Sequence, residues 1–161
     1  MKILEIKVMR GPNFWSVRRP KLIQMKLDLE ELEQQPTNHI PGFLERLQKF
    51  MPSLYEHRCS EDKPGGFFHR VEEGTWMGHV IEHIALELQT LAGMDTGFGR
   101  TRGTGVEGEY YVCFSYIEED AGVYAAKASV KIAESIINDE IYDLDTDIQR
   151  LREIREDTRL G

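Results

Sequence analysis

Two histidines and a glutamate, His79, Glu82 and His83, are the residues of this sequence best suited to chemistry. Neutral imidazole nitrogens bind divalent transition metals, and a neighbouring carboxylate can take the proton of a water that such a metal polarises. Spacing matters as much as residue type. Side chains at i and i+4 of a helix stand one above the other, so His79 and His83 can reach a single ion. Glu82, at i+3 from His79, reaches the same space.

The element that must position them is Thr75–Gly93 (TWMGHVIEHIALELQTLAG), which reads as one helix. Thr75 suits an N-cap, Gly93 suits the residue just past the C-terminus, and no proline interrupts the span. Met77, Val80, Ile81, Ile84, Leu88 and Leu91 form one apolar stripe, and His79, Glu82, His83 and Thr90 fall opposite it. The order H-x-x-E-H is that of the inverted zinc peptidases, in which two histidines bind metal and the glutamate handles the water's proton. A motif match carries a chance rate, and a polar helix face is often only a solvated one. The placement of two weakly helix-favouring histidines in mid-helix, opposite a clean core stripe, favours the metal.

A further candidate ligand lies upstream. Glu56–Gly66 (EHRCSEDKPGG) is irregular and carries His57 and Cys59, near enough in sequence to fold back onto the helix. A thiolate is a good soft ligand for zinc, although most free cysteines are small buried fillers. Cys113, inside the apolar run Tyr110–Ile117, belongs with the fillers.

The remaining segments supply the frame. Lys2–Met9 and Leu22–Leu29 alternate as strands, with Leu4, Ile6 and Val8 expected on one face of the first. Arg10–Pro20 is a loop whose Asn13, Trp15, Arg18 and Arg19 form an aromatic-basic group able to grip an anion, or simply a surface loop. Asn38–Leu54 holds a helix with Phe43, Leu47 and Phe50 on its core side. Gly97–Arg102 and Glu109–Ile117 read as strands. Gly103–Gly108 matches G-x-G-x-x-G, but a strand follows where the dinucleotide fingerprint requires a helix, so a glycine-rich hairpin turn is expected. A helix runs from a cap at Asp120 to about Asn138, with Val123, Ala126, Val130, Ala133 and Ile137 on one stripe. Glu140–Gly161 is charged and helical. The fold class is therefore α+β, a mostly antiparallel four-stranded sheet packed with about three helices. Residues 1–139 form one domain, and 140–161 a charged helical connector.

The chain has 161 residues, 40% hydrophobic and 30% charged, enough for a sizeable core. No run approaches the ~20 apolar residues of a membrane span, and the N-terminus lacks a signal peptide's apolar region. Two cysteines give no disulfide framework, which fits a cytoplasmic protein. A net charge of −8 argues against a nucleic-acid partner.

Several stretches together resemble the N-terminal domain of cyanophycin synthetases: RGPNFWSVRRPKLI, HIPGF, EHRCS, GTWMGHVIEHIALELQTLAGM, GFGRTR and the tail DLDTDIQRLREIRED. The resemblance covers essentially the whole chain. It implies bacterial enzymes that use ATP, with Mg²⁺, to extend a poly-aspartate backbone and attach arginine to each side chain. Their ligase chemistry lies in ATP-grasp-like and Mur-ligase-like domains beyond this region, and the full-length enzyme is expected to be a homo-oligomer. In some members the N-terminal domain holds a metal-dependent site that cuts the polymer (cyanophycin) into primers; in others it tethers the polymer. The resemblance matches His79 and His83 to the metal, expected to be Zn²⁺ or another divalent ion, and Glu82 to catalysis. Cys59, Glu87 and Glu109 are candidates for the third ligand, with Cys59 first because it lies in EHRCS. Arg18, Arg19, Arg100 and Arg102 are the expected contacts to the polymer's carboxylates.

Overall fold

The computed structural model describes all 161 residues, Met1–Gly161. In chain order the elements are β1 (Lys2–Arg10), β2 (Lys21–Asp28), α1 (Phe43–Phe50), α2 (Gly66–Glu73), α3 (Met77–Leu91), β3 (Gly99–Gly103), β4 (Glu109–Ser115), α4 (Glu119–Ile137) and α5 (Leu144–Leu160), with short 3-10 turns between β2 and α2. The four strands form one antiparallel sheet in the order β1-β2-β4-β3, so the α+β expectation holds. There is one helix more than the sequence suggested. α2 is only eight residues long and follows Pro64-Gly65, and a two-turn element offers too little periodicity to stand out.

β2 is central and reads as a nearly continuous buried run, Leu22, Ile23, Met25 and Leu27 all being inaccessible. Ile23, Met25 and Leu27 face the helices with Val112 and Phe114 of β4. Leu22 faces the other side, where it meets Cys113 and Trp15 in a small second cluster. Trp15 explains the Arg10–Pro20 loop. Its ring covers the outer face of the sheet and its Nε1 donates to Gln24 Oε1 at 2.7 Å. Asn13 Oδ1 accepts from the amides of Trp15 and Ser16, and Asn13 Nδ2 donates to the Arg19 carbonyl, so this side chain staples the loop internally.

β1 departs from its expected alternation. The pairing with β2 shifts register between Ile3 and Glu5, a bulge on an edge strand. The extra residue flips the parity, so Ile3 joins Ile6 and Val8 against the core while Leu4 is 39% exposed.

α3 crosses the sheet as the centre of the core. Met77, Val80, Ile81, Ile84 and Leu88 have no accessible surface. The opposite side is enclosed as well: Glu82, His83, Glu87 and Gln89 are also buried. The helix ends in a Schellman motif. Met94 N–H donates to the Gln89 carbonyl and Gly93 N–H to the Thr90 carbonyl, with Gly93 at φ 83°. Its start differs from expectation. Thr75 is not the cap, because its amide is held by Thr37 Oγ1 and its carbonyl by the Thr37 amide, and the helix begins at Met77. α4 likewise begins at Glu119, with Asp120 in its first turn.

The charged tail is helical, as expected, and α5 lies back on the core through Leu151, which is fully buried. Asp147, also buried, accepts hydrogen bonds from the hydroxyls of Tyr124 at 2.6 Å and Tyr142 at 2.7 Å. No helix is long and apolar enough to cross a membrane.

Ile84, in the middle of α3, tests this arrangement. Ile84→Ala should destabilise the chain by about 2–5 kcal/mol, because the sheet beneath and α4 beside it leave little room to collapse into the void. The denaturant midpoint should fall with little change in slope.

Candidate metal centre

The first two turns of α3 carry His79, Glu82 and His83 into a cleft of about 960 Å³. Three segments line it: the start of α3, residues 56–60, and residues 96–103 with Tyr110. Residues 56–60 do fold back as the sequence suggested. Cys59 opens a short 3-10 turn (Cys59–Glu61) at φ 51°, a left-handed conformation that costs a non-glycine residue about 1–3 kcal/mol. That backbone places Cys59 Sγ at 3.4 Å from His79 Nε2, while His83 Nε2 is 3.0 Å from the same nitrogen. The three ligand atoms all lie within 4.8 Å of one another. For comparison, ligands at zinc's usual bond lengths, at the corners of a tetrahedron, would be about 3.3 Å (N to N) and about 3.6 Å (N to S) apart.

The tautomers are assigned from the hydrogen bonds around the rings. Glu87 Oε2 lies 2.7 Å from His57 Nε2, and His57 Nδ1 lies 2.8 Å from His83 Nδ1. With one proton on each ring, His57 donates from Nε2 to the carboxylate and accepts at Nδ1 from His83 Nδ1–H. His83 Nε2 is then a lone pair. His79 Nδ1 is 3.0 Å from Thr75 Oγ1, a hydroxyl that either accepts from Nδ1–H, leaving Nε2 as a lone pair, or donates to Nδ1, leaving an Nε2–H for His83 Nε2. With both Nε2 atoms unprotonated, these nitrogens and the Cys59 thiol form a donor set able to hold a cation. Burial lowers both imidazole pKa values, His79 to about 4 with a lesser push from Arg70, and His83 well below the usual range with help from His79 and His57. Both rings are therefore neutral at pH 7, the form that binds metal.

Glu82 stands in the same cleft with a different partner. Thr101 Oγ1 donates to its Oε2 at 2.6 Å. Burial raises the carboxyl to about 7, against the opposing effects of the Thr101 hydrogen bond and Arg100. Gly99 is needed here, since a Cβ at that position would run into the Glu82 carboxylate.

The other third-ligand candidates are occupied elsewhere. Glu87 is bonded to His57, and Glu109 pairs with Lys26 at 2.9 Å. Cys113 is fully buried, and burial pushes its thiol up to about 12, as befits a filler. The four arginines divide. Arg100 and Arg102 line the cleft; Arg18 and Arg19 are exposed on the Arg10–Pro20 loop and do not. Arg102 connects the two regions, its guanidinium 5.8 Å from the Phe14 ring centroid and 5.9 Å from that of Trp15. Glu61, His69 and Glu73 form another His-carboxylate group, but it is largely exposed and Lys63 already pairs with Glu61.

Sequence reasoning gave no role to His57, Thr101 or Phe67. The His57–Cys59 spacing was the one available hint, since i and i+2 across a tight turn can serve one site. Thr101 and Phe67 left no signal, because their roles depend on a strand edge and on the short α2.

Residues 24–138 match the family described as the cyanophycin synthase-like N-terminal domain. The chain belongs to that family. Over its whole length it is 55% identical to a cyanophycin synthetase of Geminocystis herdmanii, 51% to one of Synechocystis sp. and 52% to one of Nostoc sp.. It covers 19%, 19% and 18% of those proteins respectively, so the chain spans about a fifth of the length of the curated relatives it matches. As a cyanophycin synthase-like N-terminal domain it carries the cleft within the 24–138 core of the family, with all of α3 inside the matched region.

Proposed function

We propose that this domain holds a divalent metal ion, zinc first among candidates, at His79, His83 and Cys59, and hydrolyses backbone amides of the poly-Asp-Arg polymer cyanophycin to make primers. The observation that carries this reading is the convergence of two imidazole Nε2 atoms and a thiol, with a separately held carboxylate in the same cleft. A divalent ion held there supplies Lewis acidity and makes a water molecule acidic enough to attack near neutral pH. Glu82 takes that water's proton as the oxygen joins the amide carbon, then delivers it to the departing nitrogen as the C–N bond breaks. Arg100 and Arg102 pair with carboxylates of the polymer.

On this reading residues 1–139 are the working domain and 140–161 lead toward ligase domains of a longer chain, where ATP and Mg²⁺ are used for synthesis. New chain ends made here are what a primer-dependent ligase consumes. A second reading, a tethering module that only holds polymer, is favoured by the exposed arginines outside the cleft, Arg18 and Arg19, which the hydrolase does not use.

The test is to incubate the chain with purified cyanophycin, with and without a chelator, and count new amino termini. Cleavage that the chelator abolishes and zinc restores is expected. The purified chain should hold one equivalent of metal and His79→Ala essentially none. Equal zinc binding by parent and His79→Ala would remove the metal centre.

A further inference from the structure

β3 ends the sheet, and its outer edge is bare. At one end of the β3–β4 ladder Ser115 N–H donates to the Phe98 carbonyl at 2.8 Å, and at the other Thr104 N–H donates to the Glu109 carbonyl at 3.0 Å. In an antiparallel ladder every second residue makes these bonds, so Phe98, Arg100, Arg102 and Thr104 face β4. The N–H and C=O groups of Gly99, Thr101 and Gly103 therefore point outward, and no turn, loop or side-chain hydrogen bond takes them. Natural sheets normally bury, shorten or charge such an edge, and β3 is five residues long with two exposed arginines. This one forms a wall of the cleft that holds His79, Glu82 and His83.

We infer that the free edge of β3 binds the extended backbone of the polymer as an added strand, through the outward N–H and C=O groups of Gly99, Thr101 and Gly103. This rests on the reading of the cleft as one that acts on that polymer. An extended polyamide repeats donors and acceptors at the same spacing as the edge, which is the basis of strand addition. The edge also leaves it room: a Cβ at Gly103 would meet nothing within 4 Å. Thr101 places one of the three outward pairs on the residue whose hydroxyl holds Glu82, so a chain seated on the edge passes beside the general base. Charge selects the occupant. A second copy pairing antiparallel about Thr101 would set Arg100 against Arg102, like charges directly opposed. A chain bearing carboxylates meets the same arginines as counter-ions.

Proline at position 103 removes an outward N–H without touching the ladder, and edge strands tolerate proline there. Gly103→Ala keeps the N–H and gauges the added Cβ alone. KM for polymer cleavage should be about 3- to 10-fold higher in Gly103→Pro than in Gly103→Ala, with similar kcat and equal zinc content. The same ratio is expected in co-sedimentation with polymer, which reads the edge even if no cleavage occurs. Independently of any change at the edge, adding a soluble Asp-Arg oligomer to the Glu82→Gln chain should slow amide exchange at Gly99, Thr101 and Gly103. Equal KM and equal sedimentation for the two variants, or unaltered exchange at the three amides, would overturn the proposal. So would an effect of Gly103→Pro on self-association alone, which would make the edge an interface between copies. Absence of cleavage by the parent chain would instead count against the hydrolase, leaving the exchange result to decide the edge.

Discussion

Glu82→Gln is expected to reduce hydrolysis of cyanophycin by about 10²–10⁴-fold while leaving the fold and the bound metal in place. Glutamine has the same shape, and its carbonyl oxygen can accept the Thr101 hydroxyl that now donates to Glu82 Oε2. It also removes a buried acid, so nothing in the substitution leaves a charge uncompensated. What it lacks is a site for the water's proton, and without that site there is no proton to return to the departing amine. The measurement is the rate of appearance of new amino termini, read beside circular dichroism and metal analysis. Cleavage by Glu82→Gln at the parent rate would defeat the hydrolase reading and favour the tethering module.

The parts of this site that were legible in the sequence share one property: their signal is local. The α3 stripe repeats every three to four residues for fifteen residues, and Gly93 marks its end, so the helix and the common face of His79 and His83 could be read directly. The failures lie where the deciding contact is remote. Whether Cys59 is a ligand or a filler depends on a left-handed residue in a 3-10 turn, which no pattern announces. Thr75 looks like a cap, but Thr37, far away in sequence, takes both its backbone groups and frees its hydroxyl for His79. Leu4 looked like a core residue until a bulge reversed the parity of β1. Glu87 has the chemistry of a ligand, yet His57 claims its carboxylate across thirty residues. A helix wheel distinguishes an apolar from a polar side but cannot tell a solvated polar side from an enclosed one. Here the polar side is enclosed by residues 56–60 and α2, and that enclosure keeps both imidazoles neutral.

Phe67 links that enclosure to the site, and Phe67→Ala is expected to cost about 3–5 kcal/mol. The ring has no accessible surface. It stacks on His83 with centroids 4.0 Å apart and planes at 21°, meets His79 edge-on at 5.7 Å, and lies 6.3 Å from His57. Its amide donates to the His57 carbonyl at 3.1 Å, so α2 and the turn carrying Cys59 are joined beside the same residue. Removing the ring leaves a void under three imidazoles, and the backbone around it, bonded from both sides, can relax into that space only in part. The loss should therefore appear twice: as a lower denaturant midpoint, and as zinc affinity weakened by about 10–100-fold because His83 is no longer held in orientation. Phe67→Leu, which keeps most of the volume but not the planar stack, should recover most of the stability and less of the affinity. That difference separates packing from orientation. If Phe67→Ala lowers stability as expected but binds zinc as tightly as the parent, the Glu87–His57–His83 hydrogen bonds alone orient the ligand, and the stack contributes only to the core.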